Sequence, residues 1–255
     1  MKHKLTEEDL EKIFISSRFK KRNLLAIIIS FLAVFISFFL LIAYVLNFSA
    51  VNKKIAWWYQ DEFGVESHKL QDAVVKIQSG STSSGTSALP EISDNSIFIE
   101  SVNVKAPITF DVENSEKPVS SNLKNGVIQI KNTSKPGEIG NVFITGHSSN
   151  YPWVKSQYNS IFALLSNVVV GDLVQIRYLR TNYIYRVNNI FVVDPSDTSV
   201  LKSDSTVSIL TLMTCTPVGT NLNRLIVQAQ QIIPDPGLNI NVGSTGRVSI
   251  PSGIK

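Results

Sequence analysis

Val207-Ser208-Ile209-Leu210-Thr211-Leu212-Met213-Thr214-Cys215-Thr216-Pro217 is followed, after a short loop, by Arg224-Leu225-Ile226-Val227-Gln228-Ala229. Both runs alternate with the period of two that half-buried strands require. In the first, Ile209, Thr211, Met213 and Cys215 share one face, and Leu210 and Leu212 share the other. In the second, Arg224, Ile226 and Gln228 oppose Leu225, Val227 and Ala229. The all-apolar faces are the natural interior, which turns Cys215 and Arg224 outward. Antiparallel pairing across residues 216–223 would make the thiol and the guanidinium near neighbours at facing strand ends.

Further strands are legible around these two. Residues 96–102 alternate, as do Val127–Ile130 and 173–179. Residues 141–145 form a short apolar run that ends at Gly146-His147, and residues 183–193 are β-branched and aromatic. Residues 161–165 are the best candidate for a helical turn. Seven or eight short strands separated by turn residues predict an all-β domain over residues 96–233, as a closed barrel or a sandwich.

The N-terminal part has a different character. Leu24–Leu46 contains no charged residue. At about 1.5 Å per residue it reaches roughly 34 Å, enough to cross a hydrocarbon core of about 30 Å. It is too long for a signal peptide's apolar region, and Ala43-Tyr44-Val45 is a poor cleavage site. The reading is an uncleaved transmembrane helix. Lys20, Lys21 and Arg22 abut its start, predicting an N-terminus inside and a C-terminal domain outside. Thr6 reads as an N-cap with Glu7, Glu8 and Asp9 in the first turn of a cytoplasmic helix within residues 1–23. Residues 47–77 read as a partly helical juxtamembrane stalk, in which Trp57, Trp58 and Tyr59 either line the membrane interface or pack on the domain. Residues 78–95 are a Ser/Gly-rich linker, and residues 234–255 a Pro/Gly/Asn/Ser-rich tail.

The net charge of +4 derives mostly from the basic N-terminal flank, so no nucleic-acid surface is implied. Cys215 is the one cysteine in the chain and cannot form an internal disulfide. A buried small hydrophobe is the usual fate of such a residue. Its surroundings argue for chemistry instead. A thiolate is a strong nucleophile, and neighbouring cations favour it. Histidine titrates near neutral pH and can protonate a leaving amine. Arginine keeps its charge and offers a fork of donors to a carbonyl or a developing oxyanion. Taken singly, His147 would be a turn residue and Arg224 a solvated strand end. Together, His147, Cys215 and Arg224 suit acyl transfer. Pro217 has no N–H, so a backbone oxyanion donor in this turn must come from a neighbour such as Thr216. His3 and His68 lie in the N-terminal segment and the stalk and are read as surface residues.

Several motifs carry a resemblance to a known family. Thr211-Leu212-Met213-Thr214-Cys215 resembles the TLxTC signature of sortases, and Arg224-Leu225-Ile226-Val227 resembles their RLxV strand. Residues 141–147 are similar to the family's strand ending in Gly-His. Phe162-Ala163-Leu164-Leu165, followed by Gly171-Asp172, resembles the helix and turn after it. The resemblance covers residues 96–233. It implies a closed sortase-type β-barrel of about eight strands with short helices. It also implies a cysteine transpeptidase on the outer face of a bacterial cytoplasmic membrane. Such an enzyme cleaves an LPxTG-like sorting signal through a thioacyl intermediate and passes the protein to an amine. That amine belongs to a cell-wall precursor or surface polymer, or to a pilin lysine. Carried over, Cys215 is the nucleophile, His147 the general acid/base and Arg224 the substrate and oxyanion clamp, with Thr214 and Thr216 beside the substrate. No metal or cofactor is expected.

Thr216-Pro217-Val218-Gly219 resembles the TPxG of pilus-building sortases. Those enzymes often carry a second span and a lid, neither of which is evident here, so the reading leans towards a single-pass, housekeeping-like enzyme. The chain departs from the family's common Gly-His-Arg at Ser148. A pilus-polymerising sortase and a non-catalytic membrane-tethered β-domain are the alternatives. An L,D-transpeptidase is disfavoured because Cys215 lacks a Ser-x-Gly-Cys context, and a papain-like hydrolase because histidine precedes cysteine.

Overall fold

A computed structural model describes residues 6–63, 69–78, 89–151, 153–202 and 206–241. The chain divides into two compact units, residues 1–46 and 47–255. The first is one helix, α1 (Glu7–Leu46). The expected cytoplasmic helix and span are therefore continuous. Thr6 donates its hydroxyl to the Asp9 carboxylate (2.7 Å), which ties off the first turn. The stretch Leu24–Leu46 is long and apolar enough to cross a membrane.

The second unit is built on eight strands: β1 (Ser96–Ile99), β2 (Val104–Val112), β3 (Val127–Ile130), β4 (Gly140–Thr145), β5 (Leu173–Tyr178), β6 (Thr181–Val193), β7 (Ser208–Thr216) and β8 (Asn223–Ile233). They close into a barrel in the order β1-β2-β3-β4-β7-β8-β6-β5. Most neighbours are antiparallel, but β2–β3 and β4–β7 are parallel. Closure removes the exposed edges that an open sheet would leave. The interior is filled by the alternate apolar faces read from the sequence, including Val142, Ile144, Leu210, Leu212, Leu225, Val227 and Ala229. The segment around Ile161, Phe162, Leu164 and Leu165 packs into the same core. Its helical component is a single 3₁₀ turn at Leu165–Asn167.

One strand, β2, escapes a reading by residue type because Pro107 interrupts it. Its burial nonetheless alternates cleanly from Val104 to Ile108. Pro107 sits opposite Ser96 at the end of the β1 ladder, and β2 passes to β3 from Ile108 onward. A short helix, α4 (Glu116–Asn122), follows. Pro118 lies in its first turn, where an N–H has no helical partner to lose.

A second apolar layer lies outside the barrel. Ile128, Ile130, Phe143, Met213, Cys215 and Ile226 pack there with Val119 and Leu123 from the α4 region and with Val200 and Leu201. The outward faces of β3, β4, β7 and β8 are thus roofed rather than solvated.

Within residues 47–77, read as a stalk, lie α2 (Phe48–Phe63) and most of α3 (Lys69–Gln78). Both pack on the barrel. Trp57 lies against the core and donates Nε1 to the Ser101 carbonyl (3.1 Å). Leu70 and Val74 cluster with Leu173 and Ile184. The Glu100 carboxylate accepts from Leu70 N (2.8 Å), satisfying an N–H in the first turn of α3. Of the linker, residues 79–88 lie outside the described residues. Leu89 joins the cluster of Leu70 and Val74, and the Pro90 carbonyl accepts from Gln175 Nε2 (2.9 Å). The tail is described to Asn241. Ile240 bridges to Glu138 in parallel, and Asn239 Nδ2 donates to Ser208 Oγ (2.6 Å).

Candidate active site

Three adjacent strands, β4, β7 and β8, carry the candidate residues. Cys215 and Arg224 are directly opposite in the antiparallel β7–β8 ladder. On the other side, β4 runs parallel to β7 with Thr145 beside Met213. Gly146 N donates to the Met213 carbonyl (3.2 Å), and Thr214 Oγ1 donates to the Gly146 carbonyl (2.8 Å). These bonds carry the alignment past the strand end. His147 follows Gly146 directly, so the end of β4 brings it to the same end of β7 that carries Cys215, and Arg224 lies opposite Cys215 on β8.

Gly146 is required by space. A Cβ there would come within 2.7 Å of Phe162 Cδ2 and 3.0 Å of Val127 Cγ1. Phe162 N in turn donates to the His147 carbonyl (2.9 Å). The core-packed segment at Phe162 and the histidine turn are thereby locked together. Gly219, in the loop after Cys215, has φ +89°. That is the left-handed region, which glycine enters at little cost.

The faces agree with the alternation, but the exposure does not. Cys215 and Arg224 point away from the barrel interior, yet they are 1% and 2% exposed, and His147 is 5% exposed. The second apolar layer accounts for Cys215. Burial raises the Cys215 pKa, and the charge of Arg224 opposes that rise. The resting thiol therefore holds its proton at neutral pH. Arg224 donates Nη1 to the carbonyls of Asn221 (3.1 Å) and Asn223 (3.3 Å). Its Nε is buried and makes no hydrogen bond among the described residues. Buried donors of this kind are costly to leave unmade.

Thr214 is 2% exposed and faces away from Cys215, with its hydroxyl committed to Gly146. It thereby braces β7 against the histidine turn. Thr216 ends β7 opposite Asn223 and is half-buried.

Two residues not singled out in the sequence also reach the site. Asn150 Nδ2 lies 3.4 Å from His147 Nε2 and donates to Asn159 Oδ1 (3.2 Å). Asn150 Oδ1 accepts from Tyr151 N (2.8 Å), while Asn159 Nδ2 donates to the Val154 carbonyl. These contacts leave each amide one orientation. The Asn150 amino group is held towards the imidazole and favours an unprotonated Nε2. Asparagines nine residues apart in a turn-rich segment carry no pattern that a single sequence reveals.

Among the described residues, no cluster of His, Cys, Asp or Glu could hold a metal ion.

A family model described as a Sortase domain matches residues 97–232, more than half of the chain. No curated protein matches the chain. Solved structures similar to it include a lid mutant of sortase A from Corynebacterium diphtheriae. That alignment has 29% identity and a TM-score of 0.47, over 56% of this chain and 71% of that one. Another is a sortase D5 transpeptidase from Clostridium perfringens, with 29% identity and a TM-score of 0.45, over 65% of this chain and 99% of that one. A third is sortase C1 from Streptococcus suis, with 26% identity and a TM-score of 0.46, over 55% and 72%.

Proposed function

This chain belongs to the sortase family, and on that premise we propose that it is a single-pass enzyme cleaving an LPxTG-like sorting signal. It transfers the severed protein to an amine of the cell wall or a surface polymer. The basic residues Lys20, Lys21 and Arg22 keep the N-terminus inside, so the barrel works outside the membrane. The observation that supports this most is the direct pairing of Cys215 with Arg224 across β7 and β8, with His147 following the end of β4 alongside β7.

In this reading the Cys215 thiol first passes its proton to His147. The thiolate attacks the scissile carbonyl carbon, a C–S bond forms, and the carbonyl oxygen becomes an oxyanion. Arg224 Nε donates to that oxyanion, an interaction stronger in the transition state than in the ground state. Collapse breaks the C–N bond, and His147 returns the proton to the leaving amine. An acceptor amine then attacks the thioacyl carbon and gives a proton to His147. The C–S bond breaks, and the thiolate takes that proton back from His147, restoring the thiol. Burial of the site limits the competing attack by water.

The test is a library of LPxTG-like and LAxTG-like peptides incubated with the full chain, with and without an amine. Cleavage of one motif class with amide formation on the added amine is the expected result. A preference for a protein lysine over a cell-wall amine would move the enzyme to the pilus-building class. No cleavage of any peptide by folded protein would contradict the reading.

A further inference from the structure

Helix α2 is amphipathic in the inverse sense. Its barrel-facing residues are Ala50, Lys53 and Trp57. Ala50 is buried, Lys53 donates Nζ to the Ser160 carbonyl (3.0 Å), and Trp57 donates to Ser101. Desolvation lowers the Lys53 pKa, as expected for an ammonium drawn under a helix. At about 100° per residue, the opposite face carries Phe48, Asn52, Ile55 and Tyr59, flanked by Val51 and Trp58. Phe48, Ile55, Trp58 and Tyr59 are 53%, 55%, 56% and 62% exposed. A helix docked on a water-soluble domain turns its apolar stripe inward and its charges outward. Here a lysine faces in, and the outward stripe is aromatic and aliphatic apart from Asn52.

We infer that the outer face of α2 lies in the interface of the bilayer that Leu24–Leu46 crosses, so that the helix is held between lipid and barrel. Covalent continuity favours lipid over any other occupant. Phe48 follows Leu46 by two residues, so their Cα atoms are at most about 7.6 Å apart. Tryptophan and tyrosine suit this depth, with apolar rings and polar tips. An in-plane helix buries such a face about 5–10 Å below the headgroups. Exposed Lys54 on its flank suits anionic headgroups. The same helix reaches the site's surroundings through Ser49, whose hydroxyl bonds Ser160 (2.6 Å), and the residue before the helix, Asn47, packs against Gly219. Docked in this way, α2 holds the loop after Cys215 close to the membrane surface. The inference rests on membrane anchoring, not on the catalytic reading.

The experiment uses the full chain in phosphatidylcholine/phosphatidylglycerol nanodiscs. On a Cys215→Ala background, Ile55→Cys or Tyr59→Cys carries an environment-sensitive fluorophore, with exposed Asn189→Cys as reference. Both α2 probes are expected to be quenched by acyl-brominated lipid and shielded several-fold from aqueous iodide relative to the reference. Iodide access equal to the reference would overturn the inference. So would shielding without quenching by brominated lipid, which assigns the face to a second copy. Failure of the chain to enter nanodiscs would overturn the anchoring and the docking together. Intrinsic fluorescence gives a second measurement: quenching by brominated lipid is expected to fall in Trp58→Phe, and unchanged quenching contradicts the docking.

Discussion

Cys215 and Arg224 face each other across the antiparallel β7–β8 ladder, buried to the same degree on the same side of the barrel. The thiol's proton affinity is thus set by two opposed effects, burial raising its pKa and the guanidinium lowering it. Alkylation of the full chain by iodoacetamide should titrate above the free-thiol value of about 8.5. Reactivity rises as pH rises, because the anion is the disfavoured form. Arg224→Ala should move the midpoint further up. It should also cost about 10²–10³ in transpeptidation rate if the side chain holds the oxyanion. Rate against pH, measured for the unaltered chain and for Arg224→Ala, checks the two effects separately.

Gly146→Ala should destabilise the barrel and disturb the histidine turn. The new methyl meets the ring of Phe162 and the side chain of Val127. Overpacking of this kind costs about 1–3 kcal/mol. Urea unfolding gives the stability change, and kcat/KM gives the displacement of His147.

Thr214→Val keeps volume and removes the hydroxyl that reaches the Gly146 carbonyl. Loss of a buried partner costs about 1–3 kcal/mol. If Thr214 is a strut, kcat should fall while KM for the sorting peptide stays unchanged. A change confined to KM would make it a substrate contact instead.

Asn150→Ala and Asn159→Ala should each lower kcat about five- to tenfold, equivalent to roughly 1 kcal/mol. Because Asn159 orients Asn150, the double variant should be little worse than either single one. The ¹⁵N shifts of the His147 imidazole should report a changed tautomer population in both. Additive losses without that spectral change would reduce the pair to packing.

Much of the fold was legible because strand alternation is a local signal. Leu210 and Leu212 against Cys215, and Leu225 and Val227 against Arg224, sort correctly from the two-residue period alone. Strand β2 was lost to Pro107, since a proline argues against a strand unless its neighbours on each side are known. Burial of the site was also illegible. It depends on α4 and on Val200 and Leu201 folding over the outer faces of β3, β4, β7 and β8, contacts distant in sequence. The docking of α2 escaped for the same reason, because Ser160 and Ser101 are its partners only in three dimensions. The Asn150–Asn159 pair is a matter of side-chain geometry, which no spacing encodes.

The most direct measurement is the intact mass of the full chain in detergent, incubated with a cleavable sorting peptide and then with an amine. The account predicts a thioacyl adduct on Cys215, absent in Cys215→Ala and released as an amide when amine is added. An unmodified Cys215 that remains alkylatable in folded protein, or equal product formation by Cys215→Ala, would contradict it.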